Sequence, residues 1–416
     1  MIAELCTRFG FTGKLASSAA AAWEEVRAFE YPAQRTVSFN VLQAFLDEGI
    51  AESDLAGSSG YGYDDIARAR YESLLTRIFG AQRALARLTI ASGTHAIALA
   101  IRACVPRGGT LLAIAGRPYD TLRNAISDAP DSLATAGGFS YREIPLRADG
   151  EIDGEAVAEA LAQMESGAIF VQRSRGYASR PTLSIAQLET AVRAIRARRD
   201  DVPILVDNCY GELVEEREPT HVGADLAMGS LIKNLGGALA PTGGYVVGRA
   251  DLVERVATTL YAPGLNDALG PTLGFGRAFI QGLFNAPGVV EQSLRTLDFA
   301  AALFARLGFP VDPLPGARRG DIVQAITLGT QERVLRFARG LQSALPINAR
   351  FRPEPGAVPG YRDPVIMSGG AFIAGATIEL SCDAPLREPF ELYLQGGVNA
   401  IHGYLGALCA ARALLE

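Results

Sequence analysis

The sequence predicts an α/β protein: a large domain on a mainly parallel sheet, followed by a smaller α+β domain. Two observations carry this. Between about residues 85 and 250, short apolar runs alternate with helix-patterned segments, as expected of strands buried on both faces and joined by helical crossovers. After about residue 290 the pattern turns to helices, shorter strands and proline-rich loops such as "RFRPEPGAVPGYRDP".

In chain order, residues 1–55 read as a helical arm, with "NVLQAFLDEGIA" as its clearest segment. The glycine-rich "GSSGYGYDDIARARYESLLTRIFG" follows, and its Asp64-Asp65 pair marks a helix start, because acidic groups favour a helix N-terminus. Strand-like runs then come in order: "ARLTI", "TLLAIAG", "GAIFVQ", "PILVDN", "ADLAMGSLI" and "GGYVVG". Helical patterns follow the first three: "SGTHAIALAIRACV", "YDTLRNAISD" and "IAQLETAVRAIRARR". The large domain is placed at 56–290 and the small one at 291–416.

Composition narrows the function. The chain has 416 residues, 49% of them hydrophobic and 20% charged, with a net charge of −6. No basic block is present to neutralise phosphates, so nucleic acid is not an expected partner. No apolar run reaches the roughly 18 residues of a membrane span. The first 15 residues are polar and charged where a signal peptide needs its apolar segment. Five scattered cysteines (6, 104, 209, 382 and 409) include no C-x-x-C pair, which suggests reduced thiols and a cytoplasmic location. Histidines 95, 221 and 402 show no metal-ligand spacing, and no metal is expected.

One side chain stands out. Of 39 cationic side chains, only Lys14 and Lys233 are lysine. Lys233 sits in "SLIKNLGG", amid an apolar and glycine-rich stretch. A surface charge there could be arginine, as it is almost everywhere else. A guanidinium, however, cannot shed its proton to form an imine, whereas a lysine in an apolar pocket can lose one and attack a carbonyl.

Two further motifs lie where an open α/β sheet gathers its ligands, at strand carboxyl ends. In "SGTHAI", Ser92 or Thr94 can cap a helix and Gly93 admits close backbone approach, giving an anion site. A plain capping role remains the alternative. In "PILVDNCYGE", Asp207 ends an apolar run, where a carboxylate needs a partner; a strand-end cap is the alternative. An anion cradle, a strand-end Asp and a Lys match what pyridoxal 5'-phosphate requires for its phosphate, ring nitrogen and aldehyde.

These blocks resemble fold-type-I PLP enzymes (the PLP-dependent transferase-like fold), and more closely the methionine-γ-lyase-like family, also labelled aluminium-resistance or cystathionine-β-lyase-like. The resemblance spans about Asn40 to Tyr404 through "GSSGYGYDDIAR", "SGTHAIALA", "GRPYDTL", "VQRSRGYASRPTLSI", "VDNCYGELVE", "GSLIKNLGGALAPTGGYVVG", "SGGAFIAGATIELSCDAPLREP" and "YLQGGV". It implies a cofactor imine at Lys233, Asp207 on the ring nitrogen, a phosphate cup of Ser92, Gly93 and Thr94 with Ser230 added, and Tyr119 stacked on the ring. It also implies a homo-oligomer, a dimer of dimers, in which Tyr61 and Tyr63 reach the neighbour's cofactor. Two positions depart from the pattern. Leu235 stands where the family usually has proline, and Glu379 in "IELS" occupies the place of the usual carboxylate-binding arginine. That role passes to Arg173, Arg175 or Arg387. The implied activity is carbon–sulfur elimination from an amino acid. Other PLP reactions, or a catalytically silent protein linked to metal tolerance, are the alternatives.

Overall fold

The computed structural model describes all residues from Met1 to Glu416. Three helices open the chain: α1 (Ile2–Phe9), α2 (Gly13–Val26) and α3 (Pro32–Glu48). The large α/β unit follows as α4 (Ile66–Ile78), β1 (Arg83–Arg87), α5 (Gly93–Cys104), β2 (Thr110–Ala113), α6 (Asp120–Arg123), α7 (Leu133–Gly137), β3 (Ser140–Glu143), α8 (Gly154–Ala162), β4 (Gly167–Gln172), α9 (Ile185–Arg196), β5 (Ile204–Asp207), β6 (Leu226–Ser230), β7 (Gly244–Gly248) and α10 (Ala250–Leu260). The 31-residue helix α11 (Gly276–Arg306) leads into β8 (Val311–Asp312), β9 (Val323–Thr327), α12 (Gln331–Gln342), β10 (Val365–Gly369), β11 (Ser381–Pro385), β12 (Glu391–Gln395) and α13 (Ala400–Leu415).

The first sheet has seven strands in the order β1-β7-β6-β5-β4-β2-β3. Strands β6, β5, β4, β2 and β3 pair in parallel, and β7 runs antiparallel between β6 and β1. Alternation of side chains explains why the central strands are apolar throughout. In β4, Ala168 and Phe170 join the core beneath α5 and α10, whereas Ile169 and Val171 join the one beneath α8 and α9. The second sheet, β10-β11-β12-β9-β8, is antiparallel throughout and shares the largest core with α11, α12, α13 and the N-terminal helices.

Helix starts follow their caps. The Asp65 carboxylate accepts from Arg68 N at 2.9 Å, and Ser92 Oγ accepts from His95 N at 3.1 Å, so α4 and α5 begin where the sequence signals place them. The strand run "ARLTI" is only half strand, since β1 ends at Arg87 and the chain turns there. β3 carries no apolar run and had no counterpart in the sequence reading. It is an edge strand with alternating exposure, and its sequence is "SYRE". The expected 290/291 division falls inside α11. No helix is long and apolar enough to cross a membrane.

Candidate active site

The carboxyl ends of β4, β5 and β6 and the N-terminus of α5 meet at one place. Strand register sets Gln172 of β4 beside Asp207 of β5, and Asp207 beside Met228 of β6. Lys233 follows β6 by three residues. It is half-buried, with its ammonium 3.8 Å from the centre of the Tyr210 ring. Burial works against the charged amine, but Cys209, Tyr210, Asp207 and Tyr119 around it outweigh burial and hold it well above the ordinary lysine value. Of these, Asp207 is the carboxylate. Burial pushes the Asp207 carboxyl up, while Lys233 and the backbone N–H of Cys209, which donates to it at 3.1 Å, pull it back.

The α5 N-terminus supplies a cradle. Ser92 Oγ takes the N–H of His95, leaving the N–H groups of Gly93 and Thr94 without an acceptor in the chain. A Cβ on Gly93 would lie 2.9 Å from Cys209 Sγ and 3.5 Å from Ser230 Cβ, so only glycine lets this turn approach β6 so closely. That contact also brings the Ser230 side chain to the cradle. The Tyr119 hydroxyl meets Thr94 Oγ1 at 2.6 Å, and the Tyr119 N–H donates to Gln172 Oε1 at 2.9 Å. Ser92, Gly93, Thr94, Tyr119, Asp207, Ser230 and Lys233 are therefore neighbours. Two free amides at a helix start, hydroxyls beside them, a carboxylate, an aromatic face and a half-buried amine are the partners a phosphorylated pyridine aldehyde needs.

The remaining predicted residues divide. Tyr61 and Tyr63 do not enter this pocket from their own chain: they are 73% and 57% exposed on a protruding loop. That loop is stiff. Asp65 accepts from Ser58 and Thr272, which together with the Arg68 N–H hold its carboxyl down at about 2 against the effect of burial. Arg173 is corrected by the structure. It is fully buried and donates to Leu183 O, Asn208 Oδ1, Gly211 O and Glu215 Oε1, at 2.8 to 3.2 Å, so no side of its guanidinium faces a ligand. Arg387 sits at the mouth of a cavity of about 260 Å³ that Tyr119 and Tyr177 also line. It is already engaged there, by Asp120 at 2.9 Å and Asp363 at 3.6 Å. Arg175 is buried, pairs with Asp312 through one nitrogen, and leaves Nε and Nη1 without acceptors. Glu379 binds the backbone N–H groups of Phe372 and Ile373 at 2.8 and 2.9 Å, so its carboxylate braces that loop.

Sequence reasoning missed Tyr210, Cys209, Tyr177 and Asp383. The first two adjoin Asp207 in "VDNCYGE". Tyr210 takes a φ of 71°, a strained value for a residue with a Cβ, and its carbonyl is held by Asn234 Nδ2 at 3.0 Å and Ile322 N at 3.2 Å. Tyr177 donates to Asp383 Oδ2 at 2.5 Å and stacks near Tyr361 and Tyr393. Behind the lysine loop two glycines make a bare contact: a Cβ on Gly282 of α11 would lie 2.3 Å from Gly236 O. Larger concavities of about 580 and 1030 Å³ lie at Tyr31–Asp298 and around Phe284, and neither includes Lys233 or Asp207.

Comparison with known proteins fits this geometry. The methionine gamma-lyase family matches residues 15–415. The chain belongs to that family. YnbB, an uncharacterized Bacillus subtilis member, is 42% identical over 376 residues, which is 90% of this chain and 89% of that one. A carbon–sulfur lyase involved in aluminium resistance from Clostridium novyi NT superposes with a TM-score of 0.93 at 34% identity, covering 99% of this chain and 98% of the other. The pyridoxal-5'-phosphate-dependent protein YhfS of Escherichia coli shares the fold, with a TM-score of 0.58 at 19% identity over 92% of this chain and 96% of its own. The α/β architecture is thus that of the fold-type-I PLP enzymes.

Proposed function

We propose that this family member is a pyridoxal-phosphate-dependent carbon–sulfur lyase, which splits a sulfur-containing amino acid and water into a thiol, ammonia and a 2-oxo acid. The observation that carries this reading is the convergence of Lys233, Asp207 and the free α5 amides at one sheet edge. Lys233 would hold the cofactor through its aldehyde, and the free N–H groups of Gly93 and Thr94, with Ser92 and Ser230, would hold its phosphate. Tyr119 would cover the ring face, and its bond to Thr94 ties the tyrosine to the phosphate cradle. Asp207 would keep a proton on the ring nitrogen, and the N–H of Cys209 fixes its carboxylate. When bound, the cofactor supplies an electron sink for the bonds to the substrate's Cα. With the cofactor in place, the Lys233 amine would be the base for the substrate's Cα proton and the donor of a proton to the departing sulfur. The Tyr210 face beside it stabilises the protonated amine in between.

The working unit is a dimer or a dimer of dimers in the cytoplasm, in which the braced Tyr61–Tyr63 loop reaches the neighbouring subunit's phosphate. Its exposure and rigidity in the single chain support this. The test is incubation with cystathionine, cysteine, methionine and S-alkylcysteines, measuring thiol, ammonia and 2-oxo acid together. Equal ammonia and 2-oxo acid without an added acceptor is the expected result. Product only when a 2-oxo acid acceptor is supplied would make the protein an aminotransferase instead.

A further inference from the structure

A pocket for amino acids needs a cation for the α-carboxylate, and two of the three expected arginines, Arg173 and Arg387, already have carboxylate partners. A different guanidinium is free. Arg180 reaches back from the loop after β4, and its Nη2 donates to Gln172 O at 3.0 Å and to Ser174 O at 2.5 Å. Gln172 is the β4 residue in register with Asp207, and its side chain holds the Tyr119 N–H. The Arg180 guanidinium is thereby anchored at the same sheet edge as Lys233. Its Nε and Nη1 are sealed from solvent and have no acceptor.

Arg180 makes no ion pair. The nearby carboxylate of Asp321 is occupied by Ser174 Oγ, Thr182 Oγ1 and the Val323 N–H. Arg175, within electrostatic reach, likewise leaves Nε and Nη1 unpartnered and turns its third nitrogen to Asp312. Burial, followed by repulsion from Arg175, lowers Arg180 to about 10, with Asp321 and Asp207 opposing. Four buried donor nitrogens on two like charges carry a large desolvation cost unless an anion meets them. A carboxylate is the anion whose acceptors suit paired guanidinium donors.

We propose that Arg180, with Arg175 beside it, binds the α-carboxylate of the substrate. This rests on the amino-acid lyase reading above and restricts the substrate class to free amino acids; amines and C-terminal amides are excluded.

The experiment has two arms on the purified protein. In the first, calorimetry compares propionate with propionamide on wild type, R180Q and R180K. Wild type binds propionate and not propionamide, R180Q loses propionate binding, and R180K keeps part of it. In the second, S-methylcysteine is compared with 2-(methylthio)ethylamine. R180Q raises KM for the amino acid about 100-fold, the loss expected for a charge-assisted pair, with kcat within a few-fold. It leaves the spectral response to the amine, the cofactor absorbance and the cofactor affinity unchanged. Equal effects on amine and amino acid, or a shifted absorbance maximum with carboxylate binding intact, would overturn the assignment. Should R180Q fail to fold, R180K and the wild-type propionate comparison decide it, since a wild type indifferent to propionate refutes a carboxylate site. A wild type with no visible cofactor band defeats the lyase reading, whereas the propionate arm judges Arg180 on its own.

Discussion

Replacing Glu212 with glutamine should flatten the dependence of stability on pH. Glu212 follows Asp207 on the loop to β6 and is fully buried. Its Oε1 accepts from the Tyr245 hydroxyl at 2.9 Å, while Oε2 has no partner. Burial lifts the carboxyl from its ordinary 4.5 to about 8, and the opposing bonds and Lys233 do not cancel this. The sign follows from proton counting. Between those two values the folded state holds a proton that the unfolded state has lost, so the contribution is full below about pH 4.5 and falls as pH rises through about 8. At 1.36 kcal/mol per pH unit, the titration removes on the order of 4 kcal/mol of stability between about pH 5 and pH 8.5. The amide keeps the acceptor for Tyr245 and carries no titrating proton. Urea denaturation at several pH values should show wild type losing stability across this window and Glu212→Gln losing about 4 kcal/mol less. Curves for the two proteins that stay parallel within about 1 kcal/mol would mean that Glu212 is ionised at neutral pH and paired with Lys233, which refutes a raised Glu212 carboxyl.

Asp207→Ala should keep the circular dichroism of the wild type but lose several orders of magnitude in turnover; near-normal activity would leave Asp207 as a cap only. Gly93→Ala pushes a methyl against Cys209 Sγ, and about 1–3 kcal/mol of overpacking should appear as a lower melting temperature together with weaker binding of pyridoxal phosphate. Arg173→Gln removes the buried donors that Leu183 O, Asn208, Gly211 O and Glu215 share, while Glu215 keeps Arg318 and the Ile185 N–H, and it should destabilise the protein by about 1–3 kcal/mol without the KM-selective loss assigned to Arg180. Mixing Lys233→Ala chains with Tyr61→Ala/Tyr63→Ala chains should restore activity if the tyrosines serve the neighbouring subunit; a fully active monomer in sedimentation would end that idea.

The physics of burial made much of this legible in one dimension. Strands β4, β5 and β6 bury both faces, so they appear as unbroken apolar runs, and the residues that end or follow them, Asp207 and Lys233, stand out as charges out of place. Side-chain caps at Asp65 and Ser92 are local and equally readable. The edge strand β3 was not, because pairing on one side and alternating exposure leave no compositional mark. Nor could the arginines be sorted. Thirty-seven share one chemistry, and only the tertiary partner inventory separates Arg173, with its donors filled, from Arg180, with two left over. Tyr210 and Asp383 escaped for a similar reason: their place beside Lys233 depends on loops folding back from β5 and on the second sheet.

The glycine contact between α11 and the lysine loop has a mechanical consequence. Helix α11 is about 46 Å long at 1.5 Å per residue and packs along its length on N-terminal helices, the turn after Lys233 and β9. Where Gly282 meets Gly236, main chain touches main chain, with no side chain between them to absorb displacement. A displacement of α11 at this point is therefore passed directly to the turn after Lys233, with no side chain to absorb it. A methyl group added at position 282, outside the pocket and touching no ligand, would shift that helix and, through the turn, misalign the amine.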